Sequence, residues 1–190
     1  MHLKSRIGIA LGLFVVSYIV FLLMWVQVKS YYGMGINKAG TYAASFVHDM
    51  QVEKFEQGRA VGQITLSRTI STSRGLGDLV LDIKVNVSNY SFNVPLTLAL
   101  IVSLYPIFRW RKFPILEALC ILIAMHFMYV FSYCNYEVYR HLVQANVITY
   151  SNTMHFLVEY LWVFMDNMVI RFEPFLLAVY LWIRAGGTRN

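Results

Sequence analysis

IGIALGLFVVSYIVFLLMWVQV, residues 7–28, is a run of 22 residues without a charge. As an α-helix it measures about 33 Å at 1.5 Å per residue, enough to cross the hydrocarbon core of a bilayer. Lys4 and Arg6 precede it. A cleaved secretory leader carries a shorter apolar run, about 7–15 residues, closed by a small-residue cleavage site. The small residues here, Ala43-Ala44-Ser45, come well past the run. The stretch therefore reads as a retained membrane anchor.

The whole chain has the same character. Of its 190 residues, 58% are hydrophobic and 14% charged, against about 45–50% and about 25% in soluble domains. Mean hydropathy is +0.54. A soluble fold of that composition could not cover its surface with polar groups, so the reading is an α-helical integral membrane protein. Disordered tails and coiled coils are excluded on the same ground. Two cysteines cannot build a disulfide framework, and there is no C-x-x-C.

Three more spans are predicted, about four in all. The second starts at Asn93, an N-cap ahead of Val94-Pro95, because proline suits the first helical turn. It stops at Arg109-Trp110-Arg111-Lys112. The third runs from Phe113-Pro114 through Cys134. The fourth lies within His155–Arg184, whose 30 residues would make about 45 Å of helix. That exceeds the membrane, so its first third is expected along or above the interface. Pro174 leaves open whether this span is continuous.

Charge sets the orientation. With the N-terminus cytoplasmic, segments 1–6, 109–112 and 184–190 are inside. They hold Lys4, Arg6, Arg109, Arg111, Lys112, Arg184 and Arg189, and no acid, as the positive-inside rule requires. Trp25 and Trp162 then fall at outer interfaces, Trp110 and Trp182 at inner ones, with Tyr31, Tyr32, Tyr133 and Tyr160 outside, as interfacial belts do. The net charge of +6 is thus a topology signal and gives no support to nucleic-acid binding. The expectation is a multi-pass inner-membrane protein with both termini cytoplasmic.

The organisation predicted is a tail and anchor at 1–28, an outer segment at 29–93, and three further helices at 94–190 with an outer loop near 135–160. In the outer segment, Tyr42, Phe46, Val47, Met50 and Lys54 recur at three- and four-residue spacing, which predicts an amphipathic helix over 41–57. Leu79, Leu81, Ile83, Val85 and Val87 alternate with Asp82, Lys84 and Asn86, which predicts a half-buried strand. Ile64, Leu66 and Ile70 mark its hairpin partner, with residues 73–78 as the turn. A helix and one hairpin make a small α+β module that cannot bury a core alone. It must lean on the membrane, on residues 135–165 or on another protein, and Leu79, Leu81, Ile83 and Val85 are the candidate partner contacts.

Intramembrane ionisable groups are the first candidates for function. By helix rise, His126 lies about 20 Å from the inner interface, Arg171 about 20 Å and Glu173 about 17 Å, one shared level. Arg171 and Glu173 are about 200° apart around a helix, so one partner cannot face both unless Pro174 breaks it. The group reads either as interhelical polar glue or as a proton or ion relay. Glu117, in the first turn of its helix, is expected to meet Arg111 or Lys112. Cys134 closes the third span with Arg140 and His141 beyond it. A thiol beside such groups is a candidate nucleophile, and a small interfacial core residue is the alternative. Cys120, expected to be buried, is too far along the helix to bridge to it. His48, His141 and His155 show no H-x-x-x-H spacing, and no metal or cofactor is predicted.

The residues Val85-Asn86, Tyr90, Pro95-Leu96, Leu98-Ala99-Leu100 and Arg109-Trp110-Arg111 resemble the small exosortase-associated inner-membrane proteins of Gram-negative bacteria. The layout is similar too: an anchor, a short strand-rich outer segment, a second span, and a last span with Pro174 and Leu181-Trp182. The resemblance implies an accessory subunit in protein sorting at the cell envelope, without catalytic residues. The leading expectation is therefore a non-catalytic subunit or assembly factor of a larger inner-membrane complex, held in the bilayer with other membrane proteins. A proton- or ion-coupled transport component using His126, Arg171 and Glu173 is the alternative. A thiol enzyme using Cys134 is the second alternative.

Overall fold

The computed structural model describes residues 3–72, 75–108 and 112–186. The first helix, α1, is Leu3–Val47, about 67 Å at helical rise. It continues well past the anchor through Lys29, Gly33, Gly35 and Lys38. Its upper part buries Gly33, Ile36, Asn37, Gly40, Thr41, Ala44 and Ser45 on one face at three- and four-residue spacing. Glycine is required where the helix touches its neighbours. A Cβ on Gly33 would collide with Val87, and one on Gly40 would lie 2.7 Å from Val130 Cγ1 and 3.1 Å from the Phe131 nitrogen. Small residues let helix backbones approach closely, which is how membrane helices associate.

Of the amphipathic helix expected over 41–57, only residues 41–47 are helical, as the end of α1. Helix α1 stops at Val47 in a Schellman cap. Asp49 takes φ 52°, its N–H donates to the Phe46 carbonyl, and the Met50 N–H reaches the Ser45 carbonyl at 2.9 Å. The chain then becomes strand β1, Gln51–Gln57. Strands β2, Val61–Thr72, and β3, Gly75–Asn86, complete an antiparallel sheet of order β1-β2-β3. The expected hairpin is thus present, with a third strand added. Its register is unbroken from Val61↔Asn86 to Thr72↔Gly75. Residues 75–78, expected in the turn, are strand, and residues 73–74 lie outside the described ones.

Period-two alternation puts Ile64 and Leu66 of β2 with Leu81, Ile83 and Val85 of β3 on one buried face. That face packs on the upper part of α1 and on α4, together with Tyr90, Tyr129, Val130 and Val138. Leu79 is partly buried against the same cluster. The four residues expected to touch a partner are therefore occupied within this chain. A charge at Leu81 or Ile83 would disrupt the module itself.

Asn86 ends β3 and also caps α2, Val87–Ser91, by accepting from the Ser88 N–H. Helix α3 is Val94–Phe108, starting where the sequence placed it, and α4 is Lys112–Gln144, about ten residues longer than expected. It ends in a second Schellman cap at Asn146, φ 55°, with the Val147 N–H on the Leu142 carbonyl. The C-terminal run divides into α5, Asn152–Phe164, a π-helical turn at Met165–Val169, and α6, Ile170–Gly186. Among the described residues three helical stretches are long and apolar enough to cross a membrane: Arg6–Val47, Val87–Ile107 and Phe113–Gln144. The fourth expected span is not among them, although helix continues through the π turn from Asn152 to Gly186.

A lower apolar cluster joins α3, α4 and α6 through Val94, Ile101, Ala118, Leu122, Leu177 and Leu181. Near it, Arg184 binds Glu117 with Nη2 2.7 Å from Oε1, and Tyr180 donates to the same carboxylate. Glu117 thus takes a partner from α6, a pairing distant in sequence. The side chains of Arg111 and Lys112, and the Arg109-Trp110-Arg111 stretch, lie outside the described residues.

Candidate functional site: a buried tyrosine–histidine–glutamate chain

Pro174 prepares the site. Without an N–H it cannot bond the carbonyl four residues back, at Ile170. Asn93 fills the vacancy: its Nδ2 donates to the Ile170 carbonyl oxygen at 2.6 Å. The residue expected to cap α3 through its side chain instead ties α3 to α6. Glu173, one position before the proline, is fully buried.

The Glu173 carboxylate is held by two helices. His126 Nε2 of α4 is 2.7 Å from Oε2, and Thr97 Oγ1 of α3 donates to Oε1 at 3.2 Å. On its other side His126 Nδ1 is 2.6 Å from the Tyr32 hydroxyl of α1. Four helices therefore meet in one hydrogen-bonded chain. With its proton on Nε2, the imidazole donates to Glu173 and accepts from Tyr32, so each donor has an acceptor. Tyr90 packs its ring 5.4 Å from the imidazole and donates its hydroxyl to Asn37 Oδ1 at 2.9 Å. Asn37 passes the chain to Gln57 of β1 at 3.0 Å. Among the described residues no buried side-chain nitrogen or oxygen lacks a partner. Burying polar groups is costly unless they are paired, and here they are.

Hydroxyl, imidazole and carboxylate in line can do two things. They can lock four helices in one register, or they can pass a proton along the chain. Tyr32 is the half-buried end, its ring against Trp25 at 5.1 Å.

Of the three residues expected at one level, His126 and Glu173 meet and Arg171 does not join them. It is exposed beside Asp166 on the opposite side of α6, lining a cleft with Ser88, Asn89 and Phe92. The helix itself enforces this, since two residues turn it by about 200°. Cys134 is fully buried, 3.6 Å from Thr41 Oγ1. Arg140 and His141 instead face Glu137, at 2.6 Å and 3.8 Å. The thiol is thus enclosed in the core while the two basic groups are engaged elsewhere. Cys120 is exposed, contrary to expectation. Among the described residues no three His, Cys, Asp or Glu side chains converge as a metal site would need.

Tyr32, Tyr90, Asn93 and Thr97 are not read from the sequence as members of this site. Tyr32 reads as an interfacial aromatic and Asn93 as a cap, because both sit where those roles are common. A usable signal was present: Asn93 and Thr97 are four apart, so one helix face carries two polar groups into an apolar span.

A family model described as exosortase H-associated membrane protein matches residues 4–184, nearly the whole chain. No curated protein and no solved structure matches it.

Proposed function

We propose that this chain, which belongs to the exosortase H-associated membrane protein family, is a non-catalytic accessory subunit of an inner-membrane exosortase complex in protein sorting at the cell envelope. The family match over residues 4–184 carries the reading. In this arrangement both termini are cytoplasmic and the sheet stands on the outer side, as the placement of basic residues predicts. The self-contained polar chain supports a scaffold role: Tyr32, Thr97, His126 and Glu173 bind one another across four helices, as interhelical polar contacts do.

The test is purification of the tagged chain from its native host in mild detergent, with mass spectrometry of its companions. A stoichiometric exosortase is the expected result. A lone monodisperse particle would overturn the proposal.

A second reading, a proton relay, draws on the continuous 2.6 Å and 2.7 Å contacts around His126. Glu173→Gln separates the two. As a scaffold the glutamine accepts from Thr97 and donates to His126 Nε2, the imidazole proton moving to Nδ1 where Tyr32 accepts it, and sorting persists. As a relay the variant stays bound to its partner while sorting or coupled transport stops.

A further inference from the structure

The two edges of the sheet are built differently. Strand β1 has 7 residues, a register shift between Val52 and Lys54, and the charged Glu53, Lys54 and Glu56. Short length, bulges and charge are the usual protections of an edge against unwanted pairing. Strand β3 has 12 residues, no register shift against β2 and no proline. Among the described residues no strand pairs with its outer edge.

The exposed face of β3 has a pattern. Leu76 is 82% and Val80 54% exposed, alternating with Asp78 and Asp82. Thr69 and Thr65 donate to these carboxylates at 2.8 Å and 2.7 Å. Among the described residues neither carboxylate has a cation within ion-pair distance. Apolar and acidic positions thus alternate over residues 76–82, ahead of the exposed Lys84, along a regular edge without a neighbouring strand among the described residues.

The edge also has a direction. Gly62 of β2 lies beside Asn37, and Arg68 Nη1 donates to the His48 carbonyl at 3.1 Å, so β2 runs along α1 in the same sense. The hairpin beyond Arg68 and its partner Leu79 extends past the end of α1. A second copy pairing antiparallel along β3 would point its own α1 the opposite way, which two copies inserted alike in one membrane cannot do.

We propose that the outer edge of β3 receives an extended segment of the partner protein as a fourth strand, with apolar side chains beside Leu76 and Val80 and cationic ones beside Asp78 and Asp82. This rests on the accessory-subunit reading and names the surface it uses. Main-chain hydrogen bonds along the edge give the attachment, and the alternating side chains select the segment.

Amide exchange of the full chain, alone and in the co-purified exosortase complex, tests it. Alternate amides within 76–84 are expected to slow by about tenfold or more in the complex, with 51–57 unchanged. The double variant Asp78→Lys, Asp82→Lys is expected to lower retained exosortase by about tenfold while β2–β3 exchange in the chain alone stays native. If wild-type protein retains the exosortase yet β3 exchange is unaltered, or the double variant retains it fully, the edge is not the contact and the accessory role survives. If wild-type protein retains no exosortase, both fall together.

Discussion

The two parts of α1 are one helix with opposite logic. Residues 7–28 are apolar, yet Leu11, Val16, Leu23 and most of their neighbours are exposed. Residues 33–47 carry Asn37, Thr41 and Ser45, and these are buried. In a soluble protein that relation would be inverted. The apolar part is a candidate membrane span, and lipid gives no drive to bury such a surface further, while the small and polar part binds protein through close approach and hydrogen bonds. Hydropathy marks what meets the membrane, and small polar residues mark what meets the rest of the chain.

Substitutions that treat both parts alike should break or sharpen the contrast. Gly40→Val should be the most damaging, since its Cβ meets Val130 and the Phe131 backbone. A loss of about 3 kcal/mol is expected from such overpacking. Gly12→Val, with nothing within 4 Å, should change thermal stability in detergent by less than about 0.5 kcal/mol. Equal losses at both sites would dissolve the distinction.

Asn93→Ala should come next. It leaves the Ile170 carbonyl of the proline-broken turn without a donor, a cost of about 1–3 kcal/mol. Exchange of α6 amides should rise more than that of residues 7–28. A uniform rise would mean that Asn93 holds nothing specific.

Acid should then act just past the end of α1, at His48. Burial lowers the His48 pKa below its usual value, against the opposing hydrogen bond to Asn135, with Arg68 adding to the depression. A value depressed on folding favours the neutral ring. Its contribution is therefore fully present above about pH 6.5 and is lost as pH falls through the folded value. Melting of wild-type protein should drop between pH 7.5 and pH 5 more than that of His48→Gln; parallel curves would exonerate the imidazole. Leu23→Ala, at an exposed apolar position, should be smallest of all, within about 0.5 kcal/mol.

Much of this was legible in the residues. The uncharged run 7–28 announced the anchor, and the alternation from Leu79 to Val87 announced β3 and its buried face. Strand β1 was hidden because its irregular step between Val52 and Lys54 breaks period two, and the preceding helix made a helical continuation look natural. The extension of α1 past Val28 was hidden because Gly33, Gly35 and Gly40 are poor helix formers; Gly33 and Gly40 sit where Val87 and Val130 leave no room for a Cβ. His126 and Glu173 were found as costly charges in apolar helices. Tyr32 was not, since its contact to His126 spans 94 positions, and no local pattern encodes such a distance. Glu117 taught the same lesson in choosing Arg184.

The passage from β3 to α2 bears on how motion travels. Asn86 belongs to both elements, the Val87 N–H bonds back to the Ala60 carbonyl at 2.8 Å, and Tyr90 follows within the same short helix. Only Phe92 and Asn93 separate α2 from α3, and Asn93 is itself clamped to α6. The hairpin is in effect a lever mounted without slack. A tilt of the hairpin would reach the ring of Tyr90, and the imidazole packed 5.4 Å from it, before any loop could absorb the movement.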